Sequence, residues 1–222
     1  MATELTAVLF ALRREARYWR GPGRRIPGAP CPAWSLGDSL VALSTGVGEV
    51  AAGAAIDWLL AARPRLGRVI TAGFCGGLTD GWNVGDVARP GRALAAGQVF
   101  PLSGDASVAI CSVSRPVVTP EERSRLHRAT GAHVVDMETA TIARRCAAAG
   151  VVCESLRVVS DDSRTGLPPD LMAALDGERV RVGRLLLSLL WRPGLAVDLG
   201  RLERDSRRAA RALAAALDGL LR

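Results

Sequence analysis

A chain of 222 residues, 49% hydrophobic but only 4% aromatic, has enough material for one α/β-sized core built from Ala, Val and Leu. All 29 basic residues are Arg, giving a net charge of +7, yet Glu203, Asp205 and Asp218 interrupt the basic tail and no aromatics interleave it, which argues against a nucleic-acid surface. Five Cys without a C-x-x-C pair and only two His argue against a disulfide framework and a zinc site, and no apolar run approaches the ~20 residues that span a bilayer.

Leu5–Ala11 is an apolar run that predicts a buried first strand, with Arg13-Arg14-Glu15-Ala16 at its carboxyl end opening a helix. Gly21–Pro32 reads as an exposed loop, followed by a hairpin of Trp34–Leu36 and Leu40–Ser44 around Gly37-Asp38. Thr45-Gly46-Val47-Gly48-Glu49 then runs into an Ala-rich helix that Arg63-Pro64 stops. A lone G-x-G before a helix serves phosphate binding or a plain tight turn equally well. Arg68–Ala72 predicts a strand with a glycine-rich exit, Gly73-Phe74-Cys75-Gly76-Gly77-Leu78, where backbone can approach a ligand closely. Cys75, with no His nearby in sequence, reads as a small buried hydrophobe rather than a nucleophile. Short strands are expected at Gln98–Pro101 and Val108–Ser112. Thr119-Pro120-Glu121-Glu122 is a helix start with a Thr cap and Pro at the first position.

The most informative stretch is Ala132–Ser163. Two apolar β-branched runs, Val134–Val135 and Val151–Val159, flank a segment in which Thr139, Ile142, Cys146 and Ala149 recur at helical steps, closed by Gly150. This is strand, helix, strand, with Asp136 and Glu138 at the first joint and Asp161 and Asp162 at the second. In open α/β sheets ligands bind beyond the carboxyl ends of strands. The plain alternative is that Asp136 and Glu138 only favour a helix N-terminus. Beyond Ser163 come a turn-rich loop at Arg164–Pro169, a mostly apolar segment at Leu185–Trp191 flanked by arginines, and an amphipathic helix over Leu199–Leu221.

Val135-Asp136-Met137-Glu138-Thr139-Ala140, followed by Leu156-Arg157-Val158-Val159-Ser160-Asp161, resembles the paired signature of the nucleoside phosphorylase and nucleosidase superfamily. The nearest form is that of the methylthioadenosine/S-adenosylhomocysteine nucleosidases. Thr45–Gly48, Gly73–Leu78 and Val84-Gly85-Asp86-Val87 extend the resemblance discontinuously over Ala7–Asp162, with Phe74 where the family usually has Ser. It implies a three-layer α/β/α fold around a mixed sheet, as one domain over 1–222 with a divergent helical tail from about 168. It implies cleavage of a purine nucleoside with Asp161 protonating the base, Glu15 activating water and Arg157 orienting it or holding an anion. Met137 and Glu138 would hold the ribose, Ser160 the purine, and Gly46, Phe74, Cys75 and Gly76 would line the pocket. No metal or other cofactor is implied.

Three features resemble the hopanoid-associated branch, whose implied reaction removes adenine from adenosylhopane: the short middle of the chain, the Val-Asp-Met-Glu form and the Arg-Asp-Ser-Arg tail. That branch would place the protein in the cytoplasm, peripheral to the inner membrane, with Leu185–Trp191 beside the pocket mouth and against lipid headgroups. Relatives commonly assemble as homo-oligomers. The rivals are a phosphorylase that holds phosphate through Arg13, Arg14 or Arg157, and a nucleoside-binding protein without turnover. Val117 or Val118 lies near the place where an aromatic stacks on the purine in those enzymes.

Overall fold

The computed structural model describes residues 4–19, 23–164, 175–176, 179–180 and 194–222. Its centre is a run of four parallel strands: β4 (Leu40–Ser44), β1 (Leu5–Phe10), β5 (Leu66–Gly77) and β11 (Val152–Asp161), neighbours in that order. Such buried parallel strands need both faces covered, so they are written in Val, Ile, Leu and Ala with little polar alternation. Period two then divides the apolar side chains between two helical layers. Ala7, Leu9, Val69 and Val159 pack toward α1 (Glu49–Ala62) and α3 (Thr139–Ala149). Val8, Phe10, Ile70, Ala72, Leu156 and Val158 pack toward α4 (Gly194–Leu220), which presents Ala209, Ala210, Leu213 and Leu217 to them. The fold is therefore a mixed sheet between helices, as the resemblance implies.

The rest of the sheet makes it mixed. β2 (Arg24–Arg25) and β3 (Ala33–Ser35) add antiparallel strands beyond β4, with Gly37 at φ 95° turning β3 into β4. β10 (Val134–Asp136) runs antiparallel to the end of β5 and parallel to β9 (Asp105–Ser112). β9 continues to β7 (Pro90–Ala95) and β8 (Gln98–Pro101), and β6 (Val87–Ala88) borders β11. α2 (Pro120–Thr130) begins with the expected capping box, Thr119 Oγ1 accepting the Glu122 N–H at 3.2 Å, and stops at Gly131 in the left-handed region. A small pair, β12 (Leu175–Asp176) with β13 (Arg179–Val180), lies in the tail.

Three expectations change. Residues 12–19 form successive three-residue turns, with Glu15 N–H to Leu12 O and Arg17 N–H to Arg14 O, rather than a helix. The glycines at 73–77 continue β5 instead of leaving it, because their neighbours β11 and β10 supply ladder bonds along that whole stretch. A strand that was not among those expected, β7, opens on Pro90-Gly91, where Pro at the first residue leaves the ladder intact. Leu185–Trp191 and the 165–169 part of the expected loop lie outside the described residues.

Candidate active site

Glu15, Asp136, Glu138 and Arg157 arrive from three separate places, the turns after β1, the β10–α3 joint and β11, and each is buried. Glu15 sits on the turns after β1. Its Oε2 accepts the N–H of Leu12 at 2.8 Å and its Oε1 that of Phe74 at 2.9 Å, so the carboxylate bridges the end of β1 to the middle of β5. Arg157 reaches the same point from β11, and Gly73 makes room. A Cβ there would stand 2.5 Å from Arg157 Nη1 and 2.8 Å from Glu15 Oε1, closer than any side chain tolerates.

Arg157 is 1% exposed, and its charge is matched at once: Nη2 lies 2.7 Å from Asp136 Oδ2 and donates to Thr71 Oγ1 and Thr139 Oγ1, each at 2.7 Å. Asp136 also accepts the Ser112 hydroxyl at 2.5 Å, the Thr139 hydroxyl at 2.6 Å and the Thr139 N–H at 3.0 Å. The last contact satisfies an orphan amide in the first turn of α3. Asp136 thus does the helix-capping work, and Glu138, which makes no side-chain cap, is released for something else. Its Oε1 accepts the Gly48 N–H at 2.7 Å, across to the start of α1.

Three buried carboxylates around one guanidinium leave negative charge that water does not screen. Burial pushes the Glu138 carboxyl up to about 7, with the neighbouring charge of Asp136 adding to it and Arg157 and the Gly48 N–H opposing. Burial likewise raises Glu15, against the pull of Arg157. The site is short of positive charge.

Asp161 lies beyond this group, at the end of β11. Its Oδ1 accepts the Ser160 hydroxyl at 2.6 Å, and its Oδ2 is ion-paired with Arg123 of α2. Ser160 is also within 3.4 Å of the Cys75 carbonyl. Met137 lines a cavity of about 560 Å³ with Ser112, Val113, Val117, Leu126 and Thr141, and Arg115, Glu122 and Arg125 also border it. Phe74 is half-buried toward α4 and contributes its N–H, while Cys75 packs in the core toward α1 and α3. Burial pushes the Cys75 thiol far up, which makes it a core side chain and not a nucleophile. Gly46, at φ 90°, bonds its N–H to Ala11 O and so ties the turn after β4 to the turn after β1. Arg13 and Arg14 are exposed, and the Arg13 guanidinium stands over the Trp34 ring.

The sequence did not single out Thr71, Ser112 or Arg123, nor the Arg157–Asp136 pair. Ser112 and Thr139 carried a faint signal, as hydroxyls at the end of an expected strand and at the start of the helix in the acidic unit. Arg123 carried none, being one of 29 arginines on a polar helix.

A family model described as the phosphorylase superfamily matches residues 105–190. Among solved structures, the 5′-methylthioadenosine nucleosidase of Helicobacter pylori, with 5′-methylthioadenosine in its active site, superimposes with a TM-score of 0.70 at 17% identity, covering 97% of this chain and 99% of that one. Futalosine hydrolase of the same organism gives 0.70 at 16% identity, with 98% of each chain covered. The 5′-methylthioadenosine/S-adenosylhomocysteine nucleosidase of Neisseria meningitidis, in complex with methylthio-immucillin-A, gives 0.68 at 20% identity, with 95% of each covered. No curated protein sequence matches the chain. The phosphorylase-superfamily model thus spans both the Met-Glu segment that follows β10 and the Ser-Asp segment that ends β11, two strands that each pair with β5, and the chain shares the fold of these solved nucleosidases over nearly its whole length.

Proposed function

We propose that this protein hydrolyses the N-glycosidic bond of a purine nucleoside and releases the free base. The observation that carries the reading is the buried group of Glu15, Asp136 and Glu138 around the single Arg157. Cleaving this bond turns the ribosyl ring into an oxocarbenium-like cation. Preorganised negative charge in a dry site stabilises such a cation and costs no reorganisation during the reaction. Glu138 anchors the ribose hydroxyls, in place of the proton it otherwise holds. Met137 is the apolar floor. Glu15, fixed through two backbone N–H groups, takes the proton of the attacking water, and Asp161 gives one to the departing base. Arg157 holds Asp136 in place rather than receiving the substrate. The likeness to nucleosidases supports the chemistry, and every step uses protein side chains and water alone.

Hydrolysis is preferred to phosphorolysis because the cations offered for phosphate are spent or turned outward. Arg157 is enclosed by Asp136, Thr71 and Thr139, and Arg13 and Arg14 are exposed. A binding protein without turnover has no use for a Glu15 buried beside Arg157. For the substrate we favour an adenosyl compound with a bulky apolar 5′ group, such as adenosylhopane, taken at a membrane surface by a homo-oligomer. Its support is the cavity beside Met137, whose walls include Val113, Val117 and Leu126. Among the described residues no helix is long and apolar enough to cross a membrane. Free-base release from methylthioadenosine, S-adenosylhomocysteine, futalosine and adenosylhopane tests both levels. Adenine from adenosylhopane at the highest kcat/KM supports the finer reading, preference for methylthioadenosine removes it, and no base from any purine nucleoside removes the coarser one.

A further inference from the structure

Arg123 is the one buried residue of α2, a helix that is otherwise polar and half-exposed or exposed. A guanidinium at 1% exposure is costly unless its N–H groups are met. Here Nη1 donates to the carbonyls of Gly77 at 3.1 Å, Asp161 at 3.3 Å and Asp162 at 2.8 Å, and Nη2 to that of Val117 at 3.2 Å. Those contacts knot together the ends of β5 and β11 and the loop before α2. One more does not serve the knot: Nη2 also reaches the side-chain Oδ2 of Asp161, whose other oxygen accepts from Ser160. The side chain of Asp161 is 22% exposed, so without that contact it has room to turn. Gly76 marks the closeness of the arrangement, since a Cβ there would stand 3.0 Å from Asp161 Oδ2 and 3.1 Å from Arg123 Nη1.

We propose that Arg123 is the positioning residue of the proton donor: by capping Oδ2 it leaves Oδ1, the oxygen beside Ser160, as the atom that carries the proton to the departing base. A guanidinium has donors and no acceptor, so an O–H has no partner on the Arg123 side. In protonated Asp161 the O–H is therefore on Oδ1, where Ser160 turns its own hydrogen toward the Cys75 carbonyl and accepts a hydrogen bond from that O–H until the base takes the proton. In the step itself the Oδ1–H bond breaks as the nitrogen–hydrogen bond of the base forms. The C1′–N electron pair leaves with the base, and water gives hydroxide to C1′ and its proton to Glu15. The inference rests on the nucleosidase reading. It adds that α2 sets the direction of proton delivery.

The test compares two leaving groups in Arg123→Met, Arg123→Lys and Gly76→Ala. With 5′-methylthioadenosine, whose base needs a proton, kcat falls about 10²-fold in Arg123→Met, KM changes little, and Arg123→Lys recovers part of the loss. With 4-nitrophenyl β-D-ribofuranoside, whose leaving group departs as a stable anion, both Arg123 variants stay within about threefold of the parent, a span well below the ~10²-fold expected of a general acid. Adding Arg123→Met to Asp161→Asn costs nothing further. Gly76→Ala, which wedges the pair apart while keeping both charges, lowers kcat on 5′-methylthioadenosine as Arg123→Met does and decides the matter where Arg123→Met does not fold. Equal losses on both substrates in the Arg123 variants, or a parent-like kcat on 5′-methylthioadenosine in Gly76→Ala and Arg123→Met, overturn the inference while the nucleosidase reading stands. A parent protein that cleaves neither compound, nor the wider purine panel, overturns both.

Discussion

The two ends of the site carry different charge arithmetic. Around Arg157, three buried carboxylates share one guanidinium; at Asp161, one carboxylate has one guanidinium, Arg123. The same residue types therefore do opposite things. The Arg157 end is left wanting positive charge, which a proton on Glu138 or a ribosyl cation supplies. The Arg123 end becomes a balanced pair once Asp161 has given its proton to the base, and there the arginine gives direction instead. Placing the charge deficit at the sugar and the balanced pair at the base is what a glycosidic transition state asks for, since the sugar turns cationic while the base must leave neutral.

The largest test of the contrast removes the acid. Asp161→Asn keeps the shape of the Arg123 end and is expected to lose about 10³- to 10⁴-fold in base release, at the upper end of what a general acid contributes. Near-parental turnover of every purine nucleoside would break the assignment. Glu15→Gln keeps one of the Phe74 and Leu12 contacts through its single carbonyl oxygen, turns its NH2 toward the other N–H, and should lose about 10²- to 10³-fold in kcat. An unaltered kcat would move the water-activating role elsewhere.

Removing the cation tests the Arg157 end through stability. Arg157→Met leaves Asp136 buried without its guanidinium and should cost about 3–5 kcal/mol, read from urea unfolding. A loss below about 1 kcal/mol, the worth of an exposed pair, would mean that the carboxylates are better solvated than their burial implies. The smallest expected effect runs the other way. Between the ordinary value of 4.5 and about 7, the folded chain holds a proton on Glu138 that the unfolded chain has released. Stability from this group therefore falls as pH rises through that window, and above it the full cost remains. Glu138→Gln should raise Tm at pH 8 by a few degrees, on the order of 1 kcal/mol, and make no difference near pH 4.5. The same variant should discriminate ribosides from 2′-deoxyribosides less than the parent does. A lower Tm at pH 8 would contradict the charge deficit.

Much of this was legible before the structure, and for a physical reason. Strand and helix periods, the capping box at Thr119 and the closing glycine at 150 are local signals, and they fell where expected. Asp136, Glu138 and Asp161 were visible as acids at strand ends. What stayed hidden was non-local. The pairing of Asp136 with Arg157 spans the whole of α3, and that of Arg123 with Asp161 joins α2 to β11. The turns at 12–19 misread as a helix because the Glu15 carboxylate, by accepting the Leu12 and Phe74 N–H groups, commits that segment to β5. The glycines at 73–77 read as a loop because their reason is the bulk of Glu15, Arg157 and Asp161 pressed against them, which sequence does not display.

The most direct measurement is product identity in phosphate buffer with a purine nucleoside that the protein cleaves. The account predicts free base together with free ribosyl sugar, at a rate independent of phosphate. A ribose 1-phosphate product, with a rate that saturates in phosphate, would contradict it and return the chemistry to Arg13 and Arg14.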